Sequence, residues 1–460
     1  MTPHAQATFV SYDLLGSAPG WLPTYFTGAA ATALRAGFAG QAIEELGGQV
    51  LEGWRVSQTP TAIDYDPRAA STPVYSLANV KPLRLQLDAE HWGSPRVEGR
   101  WCARPGDVVV KKIPPVHAAI ISNAARRHPV DGSALVIRDL SRAAAVWVAL
   151  CLNQPGYEQL LLVGSGVLQR VGLKALAALR VPPVPPMLDG LSARLRDSLD
   201  EQELTGETMH RVRAEAGELA SAAPIATRLP RSGAFFAREA VTQDSWLPTA
   251  TALRAEQADL EENLGWVSIA ELAVWDDRAR LASVPEDART LRLRDVGDDL
   301  FVAPAEDAIE DSIPSRALAR PLVPGDVLLS TLGRSFRTAY VDDNVPPNVF
   351  PADGWVCVRF RETPAAWALL LSTDAICSQA ARLVVGSAQQ FMPSEAIRSL
   401  RVPVPPREVR DRWQRAIERH HSQRRTQDRQ WAALITELNA LFNAAHRPFA
   451  ETRPRAKEAV

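Results

Sequence analysis

The chain of 460 residues contains a long, degenerate internal repeat. Pro-Gly-Asp-Val at 105–108 returns at 324–327, and the Val/Pro-rich run at 179–186 returns, one residue shorter, at 400–406. Five further matches keep the same order: 21–24 with 246–249, 33–36 with 252–255, 43–46 with 269–272, 145–147 with 365–367, and 163–165 with 385–387. Coincidental short words in an Ala-, Leu- and Arg-rich chain do not explain this shared order. Two copies of one structural unit are therefore predicted.

Each copy shows the same succession of local patterns. A β-branched or aliphatic run follows the Pro-Gly-Asp turn at 108–110 and 327–329, which predicts a strand. The Trp-containing apolar stretches 143–152 and 365–371 suit a buried helix, although periodicity leaves a strand open. The proline tract that follows stops helical structure and leaves the chain extended. Each copy is therefore predicted to begin with a globular α/β module.

Two long segments without proline, 188–222 and 407–446, follow the proline tracts. The first places residues at alternating steps of three and four, as in a coiled coil with a polar middle: Leu188, Leu191, Leu195, Ser198, Gln202, Thr205, Met209, Val212, Ala216 and Leu219. The second has an amphipathic stripe: Val409, Trp413, Ile417, Trp431, Leu434, Ile435, Leu438, Leu441 and Phe442. Two helices of roughly 50 to 60 Å are predicted.

Opposite charges on these two segments predict that they pair with each other. The first holds four basic and eight acidic residues, and the second holds eight arginines and five carboxylates. Flanking charges select coiled-coil partners. His420 and His421, on the second segment, are expected to face solvent or the partner helix. The alternative is that each helix packs on its own globular module, with its charges facing water.

Composition indicates a folded, cytoplasmic protein rather than a disordered or exported one. Charged residues make up 23%, hydrophobic residues 46%, and the formal net charge is −2. No apolar run reaches the length of a membrane span, and the first residues lack the pattern of a secretory signal. Because the four cysteines lack the spacing of a metal pair or a disulfide framework, four reduced thiols are expected.

Motifs for the common catalytic chemistries are missing. Val345–Pro346–Pro347–Asn348 lacks the aromatic residue of an adenine-methyltransferase loop, and the Val-Gly-Ser run at 163–165 lacks the flanks of a cofactor-binding turn. Asp107 and Lys111 resemble part of a magnesium nuclease site, but no second acid accompanies them, so a turn aspartate and a surface lysine are expected. The sequence offers no suitable candidate for a phosphate-binding loop, an HExxH zinc site or a Ser-His-Asp triad. A non-catalytic role is predicted.

The order of the motifs resembles the specificity (S) subunit of type I restriction–modification systems. Family members carry, in each half, a Gly-Asp-Val strand with a variable loop, a later Gly-centred turn, and a Val-Pro tract before a spacer helix. Here these are Gly-Asp-Val at 106–108 and 325–327, the turns at Gly164 and Gly386, and the tracts 181–186 and 402–406. The resemblance covers roughly 40–446.

The resemblance, together with the repeat, implies an α/β fold of mixed α+β character with an internal pseudo-two-fold repeat. Two tandem globular target-recognition domains would be separated by two long, antiparallel, coiled-coil-like helices. The expected boundaries are 1–187 for the first domain, 188–225 for the central spacer helix, 226–406 for the second domain, 407–446 for the C-terminal spacer helix and 447–460 for a flexible tail.

The implied function is DNA recognition within a type I-like restriction–modification, phage-defence complex. Such a subunit reads a bipartite target in double-stranded DNA and docks adenine-methyltransferase (modification) subunits. A translocase or restriction subunit is an optional further partner, and no membrane association is expected. No cofactor is expected in this chain, since S-adenosylmethionine, ATP and Mg would belong to partner subunits. Two alternatives stay open: a non-catalytic protein-interaction scaffold with duplicated α/β modules, and an enzyme with an unrecognised site.

DNA contacts are expected from the loop after each Pro-Gly-Asp strand and from the later Gly turn, where polar and cationic side chains can reach bases or phosphates. The candidates in the first half are Lys111, Lys112, His117, Arg126, Arg127, Gln169 and Arg170. Those in the second half are Ser330, Thr331, Arg334, Ser335, Arg337, Gln389 and Gln390. A solvated surface loop is the alternative for each.

Overall fold

The computed structural model describes residues 40–53, 72–85, 90–92, 99–125, 128–163, 169–221, 260–262, 264–275, 288–297, 300–302, 321–332, 336–352, 354–384 and 391–451. The chain divides into two compact units. The first unit comprises Met1–Leu204 and Thr426–Val460, and the second unit comprises Thr205–Arg425. The repeated words at 21–24, 33–36, 246–249 and 252–255, and the glycines at 164 and 386, lie outside the described residues.

The first unit is built on a six-stranded sheet. Its strands, in spatial order, are β2 (Gln49–Glu52), β9 (Ala134–Arg138), β7 (Val108–Lys111), β8 (Ala118–Ile120), β5 (Leu83–Leu85) and β4 (Val80–Lys81). Neighbouring strands are antiparallel except β8 and β5, which are parallel. Three antiparallel pairs accompany it: β1 (Gln41–Ala42) with β12 (Arg180–Val181), β10 (Leu162–Val163) with β11 (Arg170–Val171), and β3 (Thr72–Val74) with β6 (Glu90–Trp92).

The second unit has a four-stranded antiparallel sheet. Its order is β14 (Ala273–Trp275), β19 (Trp355–Phe360), β16 (Asp326–Ser330) and β17 (Thr338–Tyr340). β13 (Val267–Ser268) pairs antiparallel with β20 (Arg401–Val402), and β15 (Arg289–Leu291) pairs parallel with β18 (Val349–Pro351).

The helices also recur in the same order. The first unit contains α1 (Arg142–Leu152), α2 (Pro155–Leu161) and α3 (Leu173–Ala177), followed by the long α4 (Leu188–Ser221). The second contains α5 (Ile269–Leu272), α6 (Pro364–Leu371), α7 (Asp374–Arg382) and α8 (Ser394–Arg398), followed by the long α9 (Arg407–Glu451). Both units include part of α4 and part of α9, because the division falls within each of these helices.

The duplication seen in the sequence is a duplication of topology. The strand order β2-β9-β7-β8 is matched by β14-β19-β16-β17, and the pair β1-β12 is matched by β13-β20. The apolar stretch after the sheet is a helix in both units, buried from Ala144 to Leu152 in α1 and from Ala365 to Leu371 in α6. The predicted fold class, mixed α/β with two modules and two long helices, is confirmed.

The Pro-Gly-Asp motif forms the same turn in both units. The Asp107 amide donates to the Arg104 carbonyl at 3.0 Å, and the Asp326 amide donates to the Val323 carbonyl at 3.1 Å. Gly106 and Gly325 have φ values of 87° and 88°. Proline followed by a residue with positive φ is the pattern of a type II turn, which explains why glycine occupies this position.

The aspartate of the motif is held by an arginine from the neighbouring strand. In the first unit the Arg138 guanidinium contacts both oxygens of Asp107, with the shortest distance 2.8 Å from Nη2 to Oδ2, and both side chains are buried. In the second unit Arg359 Nη2 lies 2.8 Å from Asp326 Oδ1. Asp107 is therefore a turn aspartate, as the sequence indicated, and its oxygens are occupied by structural partners.

The two long helices run antiparallel within each unit. In the first unit Arg194 pairs with Glu437 at 2.6 Å, and the Gln427 side chain donates to the Glu201 carbonyl at 3.3 Å. In the second unit the Trp413 indole donates to Glu215 at 3.0 Å. Residue numbers fall along α9 as they rise along α4, so the predicted antiparallel pairing of oppositely charged helices is confirmed.

The buried side of α4 differs from the predicted stripe at two places, near residue 199 and at its C-terminal end. Leu199 and Ala220 are buried, whereas the predicted Ser198 and Leu219 are half-buried. His420 faces the partner helix, with Nδ1 3.3 Å from the Thr205 carbonyl. His421 is fully buried, which corrects the expectation of a solvent-facing or helix-facing residue, because it packs against Phe301 and Tyr340 of the second unit.

We expect Asp107→Asn to destabilise the first unit by about 3 to 5 kcal/mol, because it leaves the buried Arg138 charge without its partner. Asp326→Asn is the matched control. Its partner Arg359 keeps 44% of its side chain exposed, so water can solvate the released charge and the loss should be smaller. Amide hydrogen exchange of β7 and β16 measures both effects. Equal losses in the two strands would contradict the role given to burial.

Candidate nucleic-acid interface

In the first unit, the structure brings together the two segments that the sequence singled out. β7 ends at Lys111, and the carbonyl of Lys112 accepts a hydrogen bond of 2.8 Å from the amide of Val171. Gln169 and Arg170 immediately precede Val171 and are exposed, and Lys111 is half-buried. The post-strand loop and the segment after the later glycine therefore form one surface, with Lys111, Gln169 and Arg170 on it.

Lys112 has a structural role within this surface. Its ammonium group donates to the Gly132 carbonyl at 2.8 Å and lies 3.3 Å from Glu52 Oε1. Glu52 ends β2 and Gly132 lies in the turn before β9, so this lysine holds the loop to the sheet. A DNA contact from Lys112 stays a prediction, now for a half-buried lysine that already has two structural partners.

His117 closes the same loop on the β8 side. Its carbonyl accepts from the Lys111 amide at 2.9 Å. Burial, followed by the positive charge of Lys111, lowers the pKa of the imidazole. The ring is therefore neutral at physiological pH, and it would contact a ligand as a neutral hydrogen-bonding group.

The second unit repeats this arrangement. The carbonyl of Thr331, one residue beyond β16, accepts from the Met392 amide at 2.7 Å, and Leu332 forms an antiparallel bridge with Phe391. Thr331 is half-buried and Arg337 is exposed. The loop after the strand and the segment after the later glycine again meet.

Ser330 shapes the loop of the second unit from inside. It is 2% exposed, and its hydroxyl accepts a hydrogen bond of 2.7 Å from the Arg337 amide. This bond joins the two ends of the loop. A DNA contact from Ser330 stays a prediction; in this structure its side chain is buried, and Arg337, which it holds, is exposed.

Six predicted contact residues lie outside the described residues: Arg126, Arg127, Arg334, Ser335, Gln389 and Gln390. Sequence reasoning also missed two apolar side chains on the candidate surfaces. Ile113, in the first loop, is 42% exposed, and Phe391, beside the second loop, is 45% exposed. Their signal in the sequence is an apolar residue inside an otherwise polar or proline-rich loop.

In each unit, a carboxylate joins a long helix to the segment just after one strand of the sheet, β8 in the first unit and β17 in the second. In the first unit, Asp200 of α4 accepts from the amides of Asn123 and Ala124, at 2.6 and 3.1 Å. In the second unit the polarity is reversed, because Asp342 of the module meets His421 and Arg425 of α9. The same position thus joins module and helix in both copies.

The carboxyl of Asp342 is kept ionised by these contacts. Burial opposes its ionisation, but the contact with His421 and the hydrogen bonds from Arg425 and from the Asn344 amide outweigh burial and depress the pKa well below its usual range. The neighbouring Tyr340 phenol has its pKa raised to about 12, chiefly by burial and then by the charge of Glu418. Gln414, on the same helix, lies 3.4 Å from this phenol oxygen.

Two further properties concern the described part of the chain. No group of three or more His, Cys, Asp or Glu side chains converges there in a way that could hold a metal ion. None of its helices combines the length and the apolar character needed to cross a bilayer.

No protein-family model and no curated protein matches this sequence. Solved structures of type I restriction–modification proteins align with it over most of its length. The S subunit from M. genitalium is 10% identical, with a TM-score of 0.38, over 89% of this chain and 95% of that one. The HsdS subunit from Thermoanaerobacter tengcongensis is 14% identical, with a TM-score of 0.22, over 88% and 96%. A chain from a type I R-M system, solved to study complex assembly and conformational transition, is 15% identical, with a TM-score of 0.25, over 87% and 97%. These S subunits belong to the family that the order of motifs in this sequence resembles.

We expect Asp342→Asn to destabilise the second unit by about 2 to 4 kcal/mol at neutral pH, because it removes a buried, charge-assisted contact. The folded-state pKa is depressed, so the stabilisation is complete above the unfolded pKa of roughly 4 and is lost as pH falls below it. Urea unfolding from pH 7 to pH 2 should show the gap between wild type and variant closing. Asp343→Asn, at the exposed neighbour, is the control and should change little. A gap of constant size at all pH values would contradict the assignment.

Proposed function

We propose that this chain is a non-catalytic DNA-recognition subunit that reads a bipartite duplex target and docks adenine-methyltransferase subunits in a type I-like restriction–modification complex. The observation that carries the proposal is the repeated surface. In each unit, the residue after the Pro-Gly-Asp strand accepts a backbone hydrogen bond from the segment after the later glycine: Val171 to Lys112, and Met392 to Thr331. One chain thus presents the same binding arrangement twice.

The side chains at these surfaces suit DNA. Lys111, Arg170 and Arg337 are cations at or next to the loops, and Gln169 adds an amide. Such groups contact phosphates and the acceptor atoms of base edges in the major groove. Residues held at the ends of buried strands are positioned by the sheet, while their loops are free to differ between the two copies. This arrangement supports two half-sites of different sequence.

The long helices would set the distance between the two half-sites and bind the partner subunits. The target-recognition domains would span 1–187 and 226–406, and the spacer helices 188–225 and 407–446. The acidic α4 and the basic α9 leave many charged side chains exposed, including Arg415 and Arg419. Partner subunits bound there would supply methyl transfer with S-adenosylmethionine, and a translocase or restriction subunit would supply ATP- and Mg-dependent steps.

A second candidate is a protein-interaction scaffold, favoured by the exposed apolar Ile113 and Phe391 on the same surfaces. The two functions differ in their response to salt. A protein that neutralises phosphates loses affinity for duplex DNA steeply as salt increases, because bound counterions are released. A scaffold would show no duplex binding in the presence of methyltransferase subunits.

Replacing Arg334 and Arg337 with Ala should weaken or relax recognition of one half-site by roughly 1 to 3 kcal/mol per lost base contact. The other half-site should be read as before, because its loop belongs to the first unit. Methylation mapping or footprinting measures the two halves separately. Arg361→Ala, an exposed arginine between β19 and α6 of the same unit, is the control for general loss of charge. Unchanged reading of both halves in the double variant would show that another segment makes the contacts.

Lengthening both long helices should change the spacing between half-sites without changing the bases that are read. Because the helices pair antiparallel in both units, we expect matched four-residue insertions after Leu204 and after Arg425 to preserve both sets of contacts. Each insertion adds about one turn, roughly 6 Å. Selection of bound sequences from a random duplex pool measures the gap. An unchanged gap would rule out the helices as spacers, and altered half-sites would place them in the reading surface.

A further inference from the structure

The two units carry different side chains at one equivalent position of their candidate surfaces. The hydrogen bond that joins the two segments of each surface is donated by the amide of Val171 in the first unit and by the amide of Met392 in the second. The residue immediately before the donor is Arg170 in the first unit and Phe391 in the second, and both are exposed. The same backbone arrangement therefore presents a cation in one unit and an aromatic ring in the other.

The equivalence of these positions is supported by the backbone contacts around them. The two acceptors, Lys112 and Thr331, each lie one residue beyond the central strand, β7 or β16. Each of them also donates its own amide to a carbonyl, that of Ser133 at 3.1 Å and that of Gly354 at 2.7 Å. Helices α3 and α8 begin two residues after the respective donors. The two segments therefore match at both of their ends.

Phe391 belongs to an apolar pair that is fixed by the backbone. It lies opposite Leu332 in an antiparallel bridge, and the bond from Met392 to Thr331 flanks this pair. In such a non-hydrogen-bonded pair the two side chains lie on one face and approach closely. A β-carbon placed on Gly354 would lie 2.6 Å from Cδ1 of Leu332, so Leu332 packs directly on that backbone. Phe391 keeps 45% of its surface exposed, and the ring thus has a fixed base and an exposed apolar edge.

The size of this apolar edge decides which kind of ligand it fits. A phenylalanine supplies at most about 150 to 250 Å² of contact area, whereas a stable protein interface needs roughly 800 Å² from each partner. An apolar wedge between base steps has to project into the base stack, but more than half of Phe391 is covered. A single apolar group is the better match in size.

Duplex DNA presents such a group in its major groove. Phenylalanine has no donor or acceptor, so it cannot read the hydrogen-bonding atoms of a base edge. It can contact the C5-methyl group of thymine. Arg337 is exposed at the other end of the same loop and supplies a cation for a phosphate or a base acceptor.

We propose that Phe391 determines one base of the half-site read by the second unit, by contacting the 5-methyl group of a thymine. Arg170 holds the equivalent position in the first unit, and its donors suit the O6 and N7 acceptors of guanine. The inference rests on the proposed function and deepens it, because one shared position would read opposite chemistry in the two half-sites.

The test uses uracil, which differs from thymine by the missing 5-methyl group. Sequences bound by the full-length protein together with its methyltransferase subunits are first selected from a random duplex pool. Each thymine of the selected site is then replaced by uracil in turn, and duplex affinity is measured. We expect one replacement, in the half-site of the second unit, to weaken binding about fourfold, which corresponds to about 0.8 kcal/mol for burial of one methyl-sized group.

Variants at the exposed ring link this effect to Phe391. Phe391→Ala should bind the thymine and uracil duplexes equally and should read the other half-site as before. Val274→Ala, at an exposed apolar residue on β14 of the same unit, is the matched control and should keep the full difference between thymine and uracil. Phe391→Arg introduces the side chain that the first unit carries at this position, so it should move the preference there from thymine toward guanine.

Three results would overturn the inference. Specific duplex binding without a uracil effect at any thymine, or a uracil effect that persists in Phe391→Ala, would refute it while the proposed function stands. If Phe391→Ala reads every base as wild type does but no longer binds the methyltransferase subunits, the ring belongs to a protein interface instead. Absence of sequence-specific duplex binding by the wild-type protein would refute the proposed function, and this inference with it.

Discussion

The ion pair between the Pro-Gly-Asp aspartate and an arginine of the adjacent strand organises each module. Asp107 accepts from the Arg104 amide and from Arg138, which also donates to the Cys102 carbonyl at 2.9 Å. One carboxylate thereby closes the turn, fixes the start of the central strand and sets its register against β9. Everything at the far end of that strand, including the candidate binding loop, depends on this position.

The long helices are bound to the modules as well as to each other. Trp147 of α1 donates to the Pro182 carbonyl at 2.8 Å, which places the proline tract on the core before α4 begins. In the first unit, the Tyr157 hydroxyl lies 3.0 Å from Nε2 of His446, near the end of α9. These polar contacts are buried, so they have few alternative arrangements. A helix attached in this way is held in a fixed position on its module.

The two units share one arrangement of strands and helices but differ in which element carries the charged group of a contact. A carboxylate joins module and helix in both units, but it belongs to the helix in the first (Asp200) and to the module in the second (Asp342). Divergence at this contact indicates that the framework tolerates different local chemistry in the two copies.

The sequence by itself determined the duplication, the Pro-Gly-Asp turn and the pairing of the two long helices, and it favoured a buried helix after the sheet. Each of these rests on local patterns: turn residues with a required φ, apolar periodicity, proline tracts and complementary net charge. The antiparallel direction of the long helices was implied by the family resemblance, and the contacts along them show it. The exposure of Arg170 and Arg337 was also consistent with the sequence, because loops at strand ends are normally accessible.

Only the tertiary structure decided which polar residues are available. Lys112 and Ser330 look like surface residues in the sequence, but partners distant in the chain, or across a loop, engage them. His421 is buried because Asp342, Phe301 and Tyr340 surround it, and Arg196 is buried because α4 packs against the Pro-Gly-Asp turn. Burial of a polar side chain depends on long-range packing, which leaves no periodic signal in the sequence around that residue.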